Sequence, residues 1–366
     1  MRFAIEWKLF KCLELGINFA YAQRLKMTST KLVGFGMAVD RHALRKQHEE
    51  TPIVTDNAEV KHLDATVGPY KVSSLTILPE HDPLRGVVRW DPARSLWNAV
   101  MMLGAIAALF YATPGAIAVF ALSLAITMCA GHSVGFHRRL IHRTFACPKW
   151  LERLLVYSGT LVGMQGPFWV IQSHDLRDWA QRQKDCHPYL RHGQSALMDG
   201  FLALHCTLKL ANAPAFNPGP GIADDRFYQF LQRTWMLQQL PVALLCYALG
   251  GIPWLLWGVC MRVFIGVSMH WFVGYLCHTH GPQNWLVLDG AVQAHDVPWA
   301  AIPSMGESWH NNHHAFPASA RHGLYPGQSD IGFAFIQLLA RFGMAWSIRK
   351  PETLPPRPGS VRLEQR

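Results

Sequence analysis

Histidine is the residue type that could carry chemistry in this chain, which has 19 of them among 366 residues. Four lie before residue 96, none lies in 96–131, and fifteen lie between His132 and His322. Neutral imidazole is the commonest protein ligand for metals, and it suits iron, zinc and copper. Histidines scattered at random would not avoid one long apolar stretch and then crowd behind it. The distribution therefore predicts a metal site built from several segments of the chain.

The strongest cluster is the segment Trp309–His314, whose sequence is WHNNHH. On an α-helix, residues i, i+3 and i+4 share one face, so the rings of His310, His313 and His314 would project together. Three such imidazoles could cap one side of a metal or divide between two metals. A solvated patch is the better interpretation of a single isolated histidine. Three on one face, with further clusters elsewhere, favour metal ligation.

Two further clusters lie at the ends of apolar stretches. His137 and His142 do not share an α-helical face, so a bent or unwinding helix end must turn both rings to the same side. His270, Gly274 and His278 are spaced by four, along one slowly drifting stripe of a helix. We expect His278 to be a ligand. His270, about two turns away, fits packing and chemistry equally well.

These histidines flank apolar segments long enough to cross a membrane. Residues 96–131 contain no Asp, Glu, Lys or Arg, and Thr113-Pro114-Gly115 interrupts them near the middle. A membrane-spanning helix needs about 20 apolar residues, so each half approaches the lower limit and the whole is too long for one span. A second apolar block over residues 227–277 contains a turn signal at Gly250-Gly251 and Pro253. The sequence predicts an all-α membrane protein with four transmembrane helices arranged as two hairpins.

Charged residues flank these spans and predict their orientation. Arginines precede the first span and, with a lysine, follow the second, whereas both predicted hairpin tips lack Lys and Arg. The positive-inside rule then places both termini in the cytosol, together with a histidine-rich helical cap formed by residues 132–226 and 279–366. Arg262 falls inside the fourth predicted span, so either it points inward or the span boundary is several residues off. We expect an integral, multi-pass membrane protein.

Composition limits the other function classes. Half of the residues are hydrophobic and only 16% are charged, which favours one membrane-embedded body over two soluble domains. The formal net charge is +10, but no compact basic run interleaves with aromatic residues, so no nucleic-acid partner is expected. The basic residues would instead face anionic lipid or an acidic protein. The eight cysteines form no CxxC pair, which argues against a disulfide framework or a cysteine-based zinc site.

We divide the chain into three parts. Residues 1–95 are of mixed polarity and are interpreted as a cytosolic N-terminal extension, residues 96–350 as the membrane and cap domain, and residues 351–366 as a flexible C-terminal tail. The first 26 residues carry charges that interrupt any signal-peptide core. They are interpreted as an uncleaved amphipathic stretch or as sequence ahead of a true start at Met27.

Several motifs together resemble one enzyme family. The segment Gly306–Pro317, with Ala320–Gly323 after it, resembles the last histidine box of acyl-CoA-type desaturases, and HRRLIHRTF at His137–Phe145 resembles the first box. The order of the elements agrees over roughly residues 85–350. The chain thus resembles the membrane-bound fatty acyl desaturases, which implies a mushroom-like four-span fold, a di-iron site under a cytosolic cap and a buried bent tunnel for an acyl chain. The metal ligands implied by the resemblance and the clusters are His137, His142, His174, His278, His310, His313 and His314.

The middle histidine box departs from the family pattern. Where the family has HRxHH, this chain has His174-Asp175-Leu176-Arg177-Asp178. Arg177 cannot ligate a metal, because its guanidinium stays protonated. Asp178 could bind iron through its carboxylate, or an arginine could hold it in an ion pair. His187 or His192, shortly downstream, could compensate for the lost ligand.

The resemblance implies desaturation of a lipid acyl chain. No side-chain acid or base can perform this reaction, because an unactivated methylene pair has no proton of useful pKa. The oxidant must come from a cofactor, and the family implies two non-haem iron ions with O2 as co-substrate. Membrane lipid would surround the enzyme, and an acyl lipid would be its substrate. The alternatives are a lipid hydroxylase on the same scaffold and a metal-binding membrane protein without catalysis. A metal transporter ranks last, because its ligands would lie at the bilayer midplane.

Electrons for the reduction of O2 must come from another protein. The sequence has no HPGG motif of a fused cytochrome b5-like domain, no ferredoxin cysteine pattern and no GxGxxG flavin or nicotinamide fingerprint. We therefore expect a separate ferredoxin, cytochrome b5-like protein or reductase to dock on the basic surface of the cap.

Overall fold

The structure, a computed structural model, describes residues 74–219 and 221–363, so most of the predicted N-terminal extension lies outside the described residues. The described part is mainly helical. Two of its segments, π1 and π2, are π-helices, in which hydrogen bonds join residues five apart. In chain order the helices are α1 (Pro92–Ala108), α2 (Pro114–Ile126), π1 (Thr127–Ile141), α3 (Lys149–Thr160), α4 (Pro167–Gln181), α5 (Ala196–His205), α6 (Arg226–Thr234), α7 (Gln239–Leu255), π2 (Leu256–Met261), α8 (Arg262–Cys277), α9 (His310–Ala315) and α10 (Ile331–Arg341).

Small antiparallel sheets accompany the helices, and the all-α prediction did not include them. The longest strands belong to one pair, in which Trp90 lies opposite Cys206. The other strands are only two or three residues long, too short to show the alternating pattern by which strands are recognised. The pairs are β1 (Leu75–Thr76) with β4 (Ala215–Phe216), β2 (Asp82–Trp90) with β3 (Cys206–Asn212), and β5 (Trp285–Val287) with β6 (Ser360–Arg362).

Three helical stretches of the described chain are long and apolar enough to cross a membrane: Pro92–Tyr111, Pro114–Ile141 and Gln239–Cys277. The first two meet at the predicted break. The Thr113 side chain accepts a hydrogen bond from the backbone N–H of Ala116 at 3.2 Å, and Pro114 is the first residue of α2. A capping threonine followed by proline defines a helix start. The predicted hairpin turn therefore lies at the boundary between two candidate spans.

The third stretch changes direction at Gly251. The φ of this residue is 64°, outside the helical region, a conformation that glycine adopts without strain. A Cβ added at Gly258 would lie 2.8 Å from the Sγ of Cys246. Residues twelve apart in a straight α-helix are separated by about 18 Å along its axis, so this contact requires the chain to fold back between them. The turn predicted near Gly250 lies at this reversal.

Arg262, which begins α8, points into the protein. Its side chain is buried and donates hydrogen bonds to the carbonyl of Gly258 at 2.8 Å, to the carbonyl of Leu161 and to the side-chain oxygen of Gln239. A buried guanidinium needs such acceptors, because removing a charge from water without partners is costly. The inward-pointing interpretation of Arg262 is confirmed.

π1 packs closely on α3 through glycine. A Cβ added at Gly135 would lie 2.4 Å from the carbonyl oxygen of Leu155, and one added at Gly131 would lie 2.5 Å from the carbonyl oxygen of Ser158. Backbones that approach this closely leave no room for a side chain. This contact sets the position of the helix that carries His137.

The C-terminal segment lies against other parts of the described chain. β6 pairs with β5, and the backbone N–H of Arg357 donates to the carbonyl of Ala315, the last residue of α9, at 2.7 Å. Residues 351–363, part of the segment expected to be a flexible tail, contain this strand and a 3-10 turn over Pro351–Thr353. The segment therefore contacts the helix that carries three of the predicted ligands.

We expect Gly135→Ala to destabilise the protein. The added methyl group would collide with a backbone carbonyl that no side-chain rotation can move, and overpacking of this kind costs about 1–3 kcal/mol. The melting temperature of the detergent-solubilised protein, followed by size-exclusion chromatography after heating, should fall. Gly274→Ala is the matched control, because a Cβ added there, in α8, has nothing within 4 Å. Equal melting temperatures for Gly135→Ala and wild type would contradict the close packing.

Candidate metal centre

Four histidines from three helical segments meet at the end of π1. The ligand nitrogens of His137, His142, His174 and His313 all lie within 4.8 Å of one another. The Nε2 of His142 is 3.2 Å from that of His137 and 3.3 Å from that of His174, and the ring centroids of His137 and His313 are 4.5 Å apart. We call these residues the four-histidine group. Three of its members are buried, and His174 is partly exposed.

A second set, the three-histidine group, consists of His278, His310 and His314. The Nε2 of His310 is 3.3 Å from that of His278 and 3.0 Å from that of His314. All three rings are partly exposed, and all three line a cavity. The seven histidines predicted as ligands therefore fall into two compact groups.

In each group, the spacing of the imidazole nitrogens suits ligands that bind the same metal ion. Imidazole nitrogens bound at about 2.0–2.1 Å to one metal lie roughly 3.0–3.4 Å apart, the range of the Nε2 separations described above. Burial lowers the pKa of His278, His310, His313 and His314 well below its ordinary value, so these rings are neutral at physiological pH. Facing lone pairs repel one another unless a proton or a cation lies between them. The all-nitrogen donor set suits iron, zinc or copper.

The geometry of π1 explains how histidines five residues apart reach the same group. The backbone N–H of His142, which ends π1, donates to the carbonyl of His137 at 3.0 Å. Because each turn of a π-helix is wider than an α-helical turn, a spacing of five brings the second ring close to the first. The bent helix end expected from the sequence takes this form.

The short helix α9 carries three of the histidines and is anchored by polar contacts. The carboxylate of Asp296 accepts hydrogen bonds from the backbone N–H groups of Asn311 at 2.9 Å and of Asn312 at 3.4 Å. The Asn311 side chain donates to the carbonyl of Trp285 at 2.8 Å. Burial raises the pKa of Asp296 to about 6. The two asparagines between the histidines therefore fix the helix in place.

Two carboxylates orient rings of the four-histidine group. Glu307 accepts a hydrogen bond from the Nδ1 of His137, and Asp175 accepts one from the Nδ1 of His174 at 3.1 Å. Each bond leaves the Nε2 lone pair available to a metal and raises the basicity of the ring. Burial opposes ionisation of Glu307, but the Arg138 guanidinium outweighs this and holds the pKa of that carboxyl well below its usual range.

Glu307, His137 and His322 form a third cluster of candidate ligands, which hydrogen bonding explains without a metal. The two oxygens of Glu307 contact His137 and Arg138. Arg138 also donates to Asp330 at 2.8 Å and contacts the Nδ1 of His322 at 3.1 Å. A metal bound there would displace this buried arginine from its carboxylates. We therefore interpret Glu307 as support for the four-histidine group.

The two additional candidate ligands, Asp178 and His187, belong to neither histidine group. Both oxygens of Asp178 accept hydrogen bonds from Arg357, at 2.8 and 2.6 Å. Burial opposes ionisation of Asp178, but Arg357 outweighs it and holds the pKa of the carboxyl well below its usual range. The Nδ1 of His187 accepts a hydrogen bond from the backbone N–H of Tyr189 at 3.2 Å. Of the two arrangements considered for Asp178, the structure has the ion pair.

Arg177 and His192 lie beside the three-histidine group. Arg177 donates to the Nε2 of His192, whose Nδ1 donates to Asp199 at 2.9 Å. The indole of Trp271 donates to the same carboxylate at 2.8 Å. The ring of His192 stacks on that of His278, with centroids 5.2 Å apart. Both nitrogens of His192 therefore have hydrogen-bond partners.

A cavity of about 270 Å³ adjoins both groups. Its lining combines histidines of both groups with apolar side chains from the candidate membrane spans, among them Met128, Val267 and Val273. His132 and His270 also line it, and their ring centroids are 4.5 Å apart. The cavity therefore connects the candidate metal centre with the apolar region between the candidate spans.

The residues that support the histidines were not predicted from the sequence. Glu307 lies 170 residues from His137, and a single acidic residue shows no periodicity that reveals so distant a partner. Asp175 was considered only as part of the divergent box. Its position next to His174 is a usable signal, because carboxylates commonly orient ligating histidines.

Comparison with known proteins assigns the family. A family model described as fatty acid desaturase matches residues 114–326, a range that includes every histidine of both groups. The chain belongs to the fatty acid desaturase family. This match confirms the resemblance found in the histidine boxes.

Individual desaturases are similar to this chain over most of its length. It is 34% identical over 241 residues to an sn-1 stearoyl-lipid 9-desaturase of Synechocystis, covering 64% of this chain and 72% of that protein. It is 32% identical to a chloroplastic palmitoyl-monogalactosyldiacylglycerol delta-7 desaturase of Arabidopsis thaliana, covering 62% of this chain and 60% of that protein. It is 30% identical to an acyl-CoA 5-desaturase of Anemone leveillei, covering 73% and 85%. Desaturases are oxidoreductases, and this chain is an enzyme of that class.

In this desaturase-family chain, we expect Glu307→Gln to weaken metal binding. The neutral amide makes His137 less basic and leaves the buried Arg138 short of a counter-charge, and loss of such a partner lowers metal affinity about 10–100-fold. Iron bound per chain is measured by mass spectrometry after anaerobic dialysis against a series of Fe(II) concentrations. The Fe(II) concentration needed for half-saturation should rise about 10–100-fold.

Glu352→Gln is the matched control for this substitution. Glu352 pairs with Arg321 and is 57% exposed, so its loss should leave the metal content at the wild-type level. Equal iron affinity in Glu307→Gln and wild type would show that Glu307 does not support the metal centre.

Proposed function

We propose that the chain is an O2-dependent fatty acyl desaturase that uses two non-haem iron ions, one in each histidine group. The reaction converts a CH2–CH2 pair of an acyl chain, O2, two electrons and two protons into a CH=CH pair and two water molecules. Iron held by the histidines would supply the activation of O2, which no side chain provides. The observation that carries the proposal is two compact histidine groups on one cavity, in a chain of the fatty acid desaturase family.

The chain's own residues would hold the metals and set their ligand geometry. Glu307 and Asp175 keep a proton on the Nδ1 of two rings in the four-histidine group, which leaves the opposite nitrogen free to ligate. Asp296 fixes α9, from which both groups draw ligands. Hydrogen is removed from two adjacent carbons, so the position of the acyl chain relative to these rings would decide which bond becomes double.

The proposed substrate is an acyl chain of a membrane lipid. The apolar part of the cavity would hold methylene groups out of water, at about 0.8 kcal/mol for each CH2 buried, and would keep water away from the reaction. The Synechocystis and Arabidopsis relatives are named for lipid-linked acyl chains, and the Anemone relative for a CoA-linked one. Because the two relatives with higher identity are named for lipid-linked chains, we propose a lipid as the acyl carrier.

We propose that the chain crosses the membrane four times, as two hairpins, with both termini and the histidine-rich cap in the cytosol. The reversal at Gly251 supports the division of the third apolar stretch into two spans. Basic residues follow the second candidate span directly, at Arg143, Lys149 and Arg153. The positive-inside rule assigns such segments to the cytosolic side.

We propose that a separate ferredoxin, cytochrome b5-like protein or reductase supplies the electrons. The net charge of +10 favours an acidic redox partner. The enzyme in washed membranes should therefore desaturate only after such a reductase system is added, and the rate should fall as salt screens the interaction. Full activity in washed membranes without any added donor would contradict this part of the proposal.

His313→Ala tests the proposed metal site. Removal of one ligand from the four-histidine group should lower the iron content per chain, measured by mass spectrometry. The unsaturated fraction of host membrane fatty acids, measured by gas chromatography, should fall to the level of a host without the enzyme. His280→Ala is the matched control, because His280 is exposed and its ring contacts Thr279. That variant should keep both wild-type values.

The product decides among the remaining functions. An unchanged fatty-acid profile in His313→Ala, at normal expression, would remove His313 from the site. A hydroxylated acyl chain in place of a double bond would identify a lipid hydroxylase. Iron bound at both groups without any O2-dependent change in lipid would identify a metal-binding protein without catalysis.

A further inference from the structure

The two histidine groups differ in ligand number and in hydrogen-bonding support. The four-histidine group offers four nitrogens, and two of its rings donate to the carboxylates of Glu307 and Asp175. The other group offers three nitrogens. His278 donates to the carbonyl of Gly274 at 2.8 Å, and within the described ranges no ring of this group donates to a carboxylate. Since a carboxylate partner makes a ligating histidine more basic, only the four-histidine group gains that support.

Positive charge lies beside the three-histidine group. Arg177 is within electrostatic reach of His278, to which it is connected through the stacked ring of His192. Arg177 is partly buried, so solvent screens its charge only in part, and its guanidinium repels a metal cation. At this position of the middle box the resemblance to the family implies a histidine ligand. The chain has therefore exchanged a ligand for a positive charge.

Asp178, at the next position of the middle box, is neutralised by arginines. Its two oxygens are held by Arg357 at 2.8 and 2.6 Å, and Arg182 lies 3.7 Å from one of them. His314 lies within electrostatic reach of both Asp178 and Arg357. Arg357, in the C-terminal segment, therefore occupies the Asp178 carboxylate. Without this ion pair, the carboxylate could offer the three-histidine group a ligand or a compensating negative charge.

We propose that the two groups are unequal metal sites. The four-histidine group retains its iron, whereas the three-histidine group binds iron weakly and exchangeably, because Arg177 and the Asp178–Arg357 pair deprive it of ligands and of negative charge. All three rings of the weak site face the cavity, so exchange does not require the cap to unfold. The inference rests on the proposed function, and it makes desaturation dependent on the free iron concentration.

Anaerobic Fe(II) titration of the full chain in detergent tests the inequality. Bound iron is measured by mass spectrometry after equilibrium dialysis at a series of Fe(II) concentrations. The wild type should bind iron in two steps whose dissociation constants differ by at least about tenfold. His313→Ala should lose the tight step, and His314→Ala should lose the weak step while it keeps the tight one.

Substitutions of the two arginines test the proposed cause. Arg177→His removes the charge and adds a ligand, so the weak step should tighten by at least about tenfold while the tight step stays unchanged. Arg177→Met removes the charge alone and should tighten the weak step less. Arg357→Ala leaves Asp178 without its main counter-charge and should act in the same direction. Arg85→Ala is the control, because that side chain is 86% exposed, and it should change neither step.

The outcomes separate this inference from the function on which it rests. Two equal steps in the wild type, or a weak step that neither Arg177→His nor Arg177→Met tightens, would overturn the inequality and leave the desaturase proposal standing. A wild-type chain that binds no Fe(II) in either group would overturn the proposed function itself. Should Arg177→His elute as an aggregate in size-exclusion chromatography, Arg177→Met decides the question.

Discussion

The rest of the structure depends on one constraint, the convergence of neutral imidazole nitrogens to about the separation of ligands on a single metal. Nε2 atoms lie 3.0–3.3 Å apart in both groups. Such spacing brings lone pairs face to face, and burial keeps the rings of His310 and His313 neutral by lowering their pKa. Close packing must therefore hold each ring in place until a cation balances the repulsion.

Three features of the backbone hold the rings in place: a long π-helix, a close helix contact at Gly135 and the anchoring of α9 by Asp296. A long π-helix is rare, and here it brings His137 and His142 into one group. Gly135 lets that helix approach α3 at a distance that excludes any side chain. The carboxylate of Asp296 holds α9, so that one short helix contributes ligands to both groups. Candidate ligands that are distant in sequence are therefore positioned by contacts that involve the backbone.

Periodicity and motifs were sufficient to predict which histidines meet. The length of each apolar block required a division, and the Pro and Gly residues within it located the break before Pro114 and the reversal at Gly251. The supporting interactions could not be predicted. The pair of Asp178 and Arg357 joins residues 179 apart, and no local pattern relates them. The short strands contain too few residues to alternate detectably. Motifs and local spacing thus indicated the candidate ligands, whereas the partners of these residues depend on the tertiary fold and could not be read from the sequence.

Arg177, in the middle box, contacts a hydrogen-bond network around Asp199 that is complete without it. Asp199 accepts hydrogen bonds from both His192 and Trp271, which ties α5 to α8, the helix that ends next to His278. Arg177, which is partly buried, donates to the opposite nitrogen of His192 and so gains an acceptor for its guanidinium. Because the link between α5 and α8 is complete without Arg177, the position of His278 does not require the arginine. An arginine in place of the histidine that the family resemblance implies therefore alters the charge beside the candidate metal centre more than it alters the fold.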